Sequence, residues 1–149
     1  MRRFSFGLEG LLKVRRYHEH ERELTLSRAT AKYEQVLNQM LNLEQEREAT
    51  VAATRGVDLS ARLSQEAYLQ LLEQSLEELE GRRRQLEASR NEALGEYTQA
   101  LKERKVIENL KERRAREHYR EESRHADREL NEIGNIRAAA RRYEEEQHG

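Results

Sequence analysis

Apolar residues recur along two long stretches of the chain at alternating steps of three and four, the spacing that turns one helix face toward a partner in a coiled coil. The first series is Leu26, Ala29, Tyr33, Val36, Met40 and Leu43. The next steps fall on Arg47 and Thr50, where the stripe fades. Upstream, Phe4, Leu8, Leu11, Leu12 and Val14 form a second apolar patch, separated from the first series by a charged run from Arg15 to Glu23. The pattern predicts one helix over residues 4–54, with a seam that is weak in its middle.

The second series runs Leu69, Leu72, Leu76, Leu79, Arg83, Leu86, Arg90, Ala93, Tyr97 and Ala100, with Arg83 and Arg90 its two charged members. Val106, Ile107 and Leu110 are displaced from a strict continuation, the mark of a stutter. A later series is Tyr119, Ser123, Ala126, Leu130 and Ile133. Between the two helices, Arg55-Gly56-Val57-Asp58-Leu59-Ser60 breaks the pattern. Gly56 suits a helix C-terminus, Asp58 or Ser60 suits the cap of the second helix, and Ser64 marks another helix start. Gly81 and Gly95 each weaken the second helix by about 1 kcal/mol relative to Ala.

The expected fold is all-α: a long antiparallel two-helix coiled coil, or α-hairpin, with a short connecting segment. Its expected organisation is one coiled-coil domain over 1–149, with a helix over 4–54, a connection over 55–64, a helix over 65–133 and a frayed tail over 134–149. Fifty helical residues span about 75 Å, so the expected product is a thin rod. The second helix is the longer, so its end must overhang, fold back or bind something.

Composition narrows the alternatives. Charged residues make up 38% of the 149 and apolar ones 36%, too few large side chains for a globular core. A slender helix needs only a narrow apolar stripe, and the absence of Pro argues against broad disorder. With no Cys, disulfides and thiolate metal sites are excluded. A membrane span needs about 20 apolar residues, whereas the runs here reach only Val51-Ala52-Ala53 or Ala138-Ala139-Ala140. The expectation is a cytoplasmic chain without membrane insertion.

Net charge is −1, but its distribution is uneven. Segment 2–16 carries Arg2, Arg3, Lys13, Arg15 and Arg16 against Glu9 alone. Folding at residues 55–60 sets it opposite 102–116, where seven cations (among them Lys102, Lys105, Arg113, Arg114 and Arg116) face three acids. The turn end is opposite in sign, with Arg62 against five glutamates from Glu66 to Glu80. A bipolar rod of this kind can be read as an ordinary solvated coiled coil or as a device whose basic end orients on an acidic partner.

No residue pattern points to catalysis. The glycines are scattered, so no phosphate-cradling loop is present. His18 and His20 point to different helix faces, and His118 and His125 sit about two turns apart, so neither pair chelates one ion unaided. No cofactor is expected. Acids interrupt the 102–116 cluster and no nucleic-acid motif accompanies it, so nucleic acid is not an expected partner.

The opening Phe4-x-Phe6-x-Leu8-x-x-Leu11-Leu12-x-x-x-Arg16 resembles the start of the flagellar export proteins called FliJ. The run Lys102-Glu103-Arg104-Lys105, then Glu108-x-Leu110-Lys111-Glu112-Arg113-Arg114, and later Glu129-Leu130-Asn131-Glu132-Ile133, is similar to that family's second helix. The resemblance implies a cytoplasmic component of the flagellar type III export apparatus, peripheral to the basal body at the inner membrane. It implies an antiparallel coiled coil like the central stalk of rotary ATP synthases. Such a protein inserts into the hexameric export ATPase, stimulates it, and contacts the export gate protein and export chaperones. The gate-contacting stripe of the family maps to Tyr68, Leu72, Ser75 and Leu79, of which Leu72 and Leu79 also read as seam. For the ATPase, the resemblance points to the terminal end, at Leu8, Leu11, Arg113, Arg114 and Arg116. The alternative is a structural coiled coil that self-associates.

Overall fold

Two helices, α1 (Glu9–Ala53) and α2 (Leu59–His148), account for nearly all of the chain in a computed structural model that describes residues 2–149. There is no strand among the described residues. Contacts between the helices run in opposite chain directions, so the fold is an all-α antiparallel hairpin.

The helices begin and end where local chemistry allows. The first helix starts at Glu9, not at residue 4. Gly7 and Leu8 form a turn in which the Glu9 amide donates to the Phe6 carbonyl at 3.2 Å and the Leu12 amide to the Leu8 carbonyl at 3.0 Å. Glu9 then faces the positive end of the helix dipole. Residues 2–6 have no regular structure and cross over α2, where Phe6 is buried. Packing the phenyl ring sideways replaces the extra helical turn that the apolar spacing suggests.

The connection is residues 54–58, shorter than the expected 55–64. The Thr54 amide donates to the Val51 carbonyl, tightening the last turn of α1. Gly56 follows at φ 82°, the one positive φ among the described residues. Asp58 caps α2: its carboxylate accepts from the Ala61 amide at 2.9 Å and its carbonyl from the Arg62 amide at 3.0 Å. Ser64 is no cap; its hydroxyl donates to the Ser60 carbonyl within α2. At the other end α2 continues through residues 134–148, where the sequence predicts a frayed tail. The Ala, Arg and Glu residues there carry a helix without burial, and Gly134 costs too little to stop it.

Contacts gather the chain into two compact units, one formed by Arg16–Lys102 and the other by the chain before and after it. Within the first, the whole α1 series from Leu26 to Leu43 and the whole α2 series from Leu69 to Ala100 are buried or half-buried. Val36 and Leu72 are the tightest, at 3% and 5% exposure. The two charged members of the α2 series meet the same α1 side chain. The Arg90 guanidinium stacks 4.4 Å from the centre of the Tyr33 ring. Arg83, whose charged form the Tyr33 hydroxyl favours, is forked between Glu80 and Glu87 at 2.7–2.8 Å. Polar residues at seam positions fix register, because a shift along the helix would strand them. Arg22 and Glu96 pair across the helices at 2.9 Å.

The second unit is built around Leu12, whose exposure is 0%. Here the inward face of α2 is Arg104, Ile107, Lys111, Ala115, His118 and Glu122. The two successive steps of four, from Ile107 to Lys111 and from Lys111 to Ala115, make the seam drift as an eleven-residue repeat does, so the stutter lies at Lys111–Ala115. Val106, expected in that seam, is 64% exposed, while Ile107 and Leu110 are half-buried.

Candidate partner-binding surfaces

The N-terminal segment is strapped to one face of α2 by four different contacts. Lys111 Nζ lies 2.8 Å from Glu9 Oε2. The Arg114 guanidinium sits 5.8 Å from the Phe6 ring. The His118 ring is tilted against Phe4 at 5.7 Å, and its Nε2 donates to the Arg2 carbonyl at 2.9 Å. Lys111, Arg114 and His118 are spaced by three and four, so a short irregular strap reaches all of them on one face. Arg15 pairs with Glu103 at 2.8 Å, and Arg104 pairs with Glu108. Like-charged stretches therefore do meet in this unit, with their few acids distributed between them in half-buried pairs, each worth on the order of 1 kcal/mol.

The residues expected to contact an ATPase gather in this unit but not on one face. Leu8 is half-buried, Leu11 is at the edge of exposure, and Arg114 is taken up by Phe6. Arg113 and Arg116 are exposed, and periodicity alone missed what they belong to. Lys105, Asn109, Arg113, Arg116, Arg120 and Arg124 follow one another at steps of four, four, three, four and four, all exposed. They form a cationic row on one outer face of α2, flanked by the exposed Glu112 and Glu117 at i,i+4 from Arg116 and Arg113. The signal is in the sequence, at the eleven-residue spacing rather than the heptad.

The residues expected to contact a gate lie in the other unit. Leu72 is in the seam, and Ser75 and Leu79 are half-buried. Tyr68 is 38% exposed and its hydroxyl donates to the Glu46 carboxylate, a bond that raises the phenol above its ordinary pKa. Further along α2, hydrogen bonds from Arg83 hold the Glu80 carboxyl down to about 2. Among the described residues no group of three His, Asp or Glu is placed to hold a metal ion, and no helix is long and apolar enough to cross a membrane.

The distinctive features of this helical hairpin are its helix faces, among them the cationic row on α2. The chain belongs to the flagellar FliJ protein family, whose model matches residues 4–143. That makes it a component of flagellar export, in a family of accessory proteins rather than enzymes. No curated protein and no solved structure gives a match.

Proposed function

We propose that this protein inserts its strapped, basic end into the hexameric export ATPase, stimulates it, and links it to the export gate protein and export chaperones. It does so on the cytoplasmic side, at the periphery of the basal body. The observation that carries this reading is the cationic row from Lys105 to Arg124 on the outer face of α2, in the same unit as the strap, Leu8 and Leu11. A row of guanidinium groups on a rigid helix is suited to an acidic, subunit-lined opening, and long-range attraction would speed its entry. A helix inside a ring biases the nucleotide-dependent states of the subunits only through unequal contacts with them. At the other unit, Tyr68 and Ser75 offer the accessible part of the gate stripe, with Leu72 and Leu79 behind them in the seam.

The test is stimulation of a purified export ATPase by the full chain at low salt. Reversing Arg113, Arg116 and Arg120 to Glu is expected to weaken half-maximal stimulation at least about tenfold, with helicity unchanged. Undiminished stimulation by that variant removes the basic row from the mechanism. Arg114→Gln separates the two roles: it is expected to loosen the strap rather than abolish stimulation.

A further inference from the structure

Each helix of the Arg16–Lys102 unit carries a second row beside its seam. On α1 it is Leu37, Leu41, Glu44, Glu48 and Val51, at steps of four, three, four and three. On α2 it is Leu59, Leu63, Glu66, Gln70, Glu73 and Glu77, again at steps of four and three. One groove between the helices is lined by Glu44 of the first row and by Glu73 and Glu77 of the second. Met40 and Leu76 form its floor, and it encloses about 600 Å³. Arg47 and Arg84 also reach it, but Arg84 is engaged by Glu80, itself a lining residue. Leu41, Val51, Leu59 and Leu63 are more than half exposed, so the rows present apolar side chains to solvent beyond the floor.

Charge says what fits there. No Lys or Arg occurs on α2 between Arg62 and Arg82, while Glu66, Glu73, Glu77, Glu78 and Glu80 do. Glu44, Glu73 and Glu77 have no ion-pair partner among the described residues. Two rows side by side at heptad spacing, with Leu59, Leu63 and Val51 at the turn end, Leu37 and Leu41 further from it and glutamates among them, match a third helix that has apolar residues on one stripe and cations at its edges.

We infer that this groove is the docking site for a basic amphipathic helix of another protein, which completes a three-helix bundle with α1 and α2. The inference uses none of the residues assigned above to the ATPase or the gate and stands apart from that reading. A second copy of this chain is a poorer occupant. Its basic row on α2 lacks apolar anchors, and its exposed apolar stripe beyond Ala126 lies where acids outnumber cations.

The probe is a fluorescent 21-residue peptide of three heptads, with Leu at the two seam positions and Lys at the two flanking positions, titrated into the full chain by anisotropy. Binding with a Kd on the order of 10 μM is expected, at least about tenfold tighter than for the same peptide with Glu in place of Lys. Glu73→Lys with Glu77→Lys is expected to weaken the Lys peptide at least about tenfold while circular dichroism stays unchanged. Leu41→Ser with Leu63→Ser, which alters only exposed side chains, is expected to weaken it as well. The proposal is overturned by absence of binding, by equal binding of the two peptides, or by a Glu73→Lys/Glu77→Lys chain that binds as well as the original. Sedimentation showing a dimer that the same substitutions dissociate would overturn it in favour of a second copy.

Discussion

The stretch of α2 from Leu69 to Ala100 and the stretch from Tyr119 to Ile133 belong to one helix and share the same kind of apolar spacing, yet they end in opposite environments. Every member of the first series is buried or half-buried. Tyr119, Ser123, Ala126, Leu130 and Ile133 are all exposed. Spacing is therefore not what distinguishes them. The first stretch has α1 opposite it. The N-terminal strap hydrogen-bonds α2 at His118, and from Ser123 onward every described residue of the helix is exposed. Helix comes from local propensity, and burial comes from the supply of a partner.

The largest expected break of this contrast is in the seam. Leu72→Ala should cost about 2–4 kcal/mol in denaturant unfolding, since it empties a packed position. Leu130→Ala, the same change in the uncovered stretch, should stay within about 0.5 kcal/mol. At the connection, Asp58→Ala and Gly56→Ala should each cost about 1 kcal/mol, the first by removing the cap and the second by forcing a Cβ into positive φ. Either is also expected to leave the uncovered stretch unchanged in hydrogen exchange.

Glycine substitutions sharpen the contrast with the opposite sign. A Cβ at Gly95 or Gly134 would meet no atom within 4 Å. Gly95→Ala should raise stability by about 1 kcal/mol, because helical propensity there is coupled to the packed seam. Gly134→Ala should increase helical ellipticity slightly without moving the unfolding midpoint. The smallest expected effect concerns pH. Glu80 is held down to about 2 in the folded chain, chiefly by hydrogen bonds from Arg83, against 4.5 when unfolded. The unfolded state therefore binds the proton first. The contribution of Glu80 is complete above pH 4.5 and is lost as pH falls toward 2. Glu80→Gln should flatten that part of the acid limb in thermal melts.

The seams are legible in the sequence because heptad spacing is a direct record of which face is covered. Even Arg83 and Arg90, which break the apolar pattern, occupy the positions that the count assigns them; their shared partner Tyr33 is not legible, since it depends on cross-helix register. The strap reads as helix because Phe4, Leu8 and Leu11 fit helical spacing, while the turn at Gly7 and the sideways burial of Phe6 depend on α2 being present. The tail errs in the other direction: its few apolar residues suggest fraying, although Ala, Arg and Glu sustain a helix without a core. Of the candidate contacts, Arg113 and Arg116 stand out by composition. Their alignment with Lys105, Arg120 and Arg124 requires the drifted repeat, which a heptad count passes over.

Residue-resolved amide hydrogen exchange of the monomeric chain puts the question of partner supply most directly. Protection should be strong from Leu69 through Ala115, fall across His118–Glu122, and be near that of an isolated helix from Ser123 to His148. Protection that continues undiminished to His148, or none over Leu69–Ala100, would contradict the account.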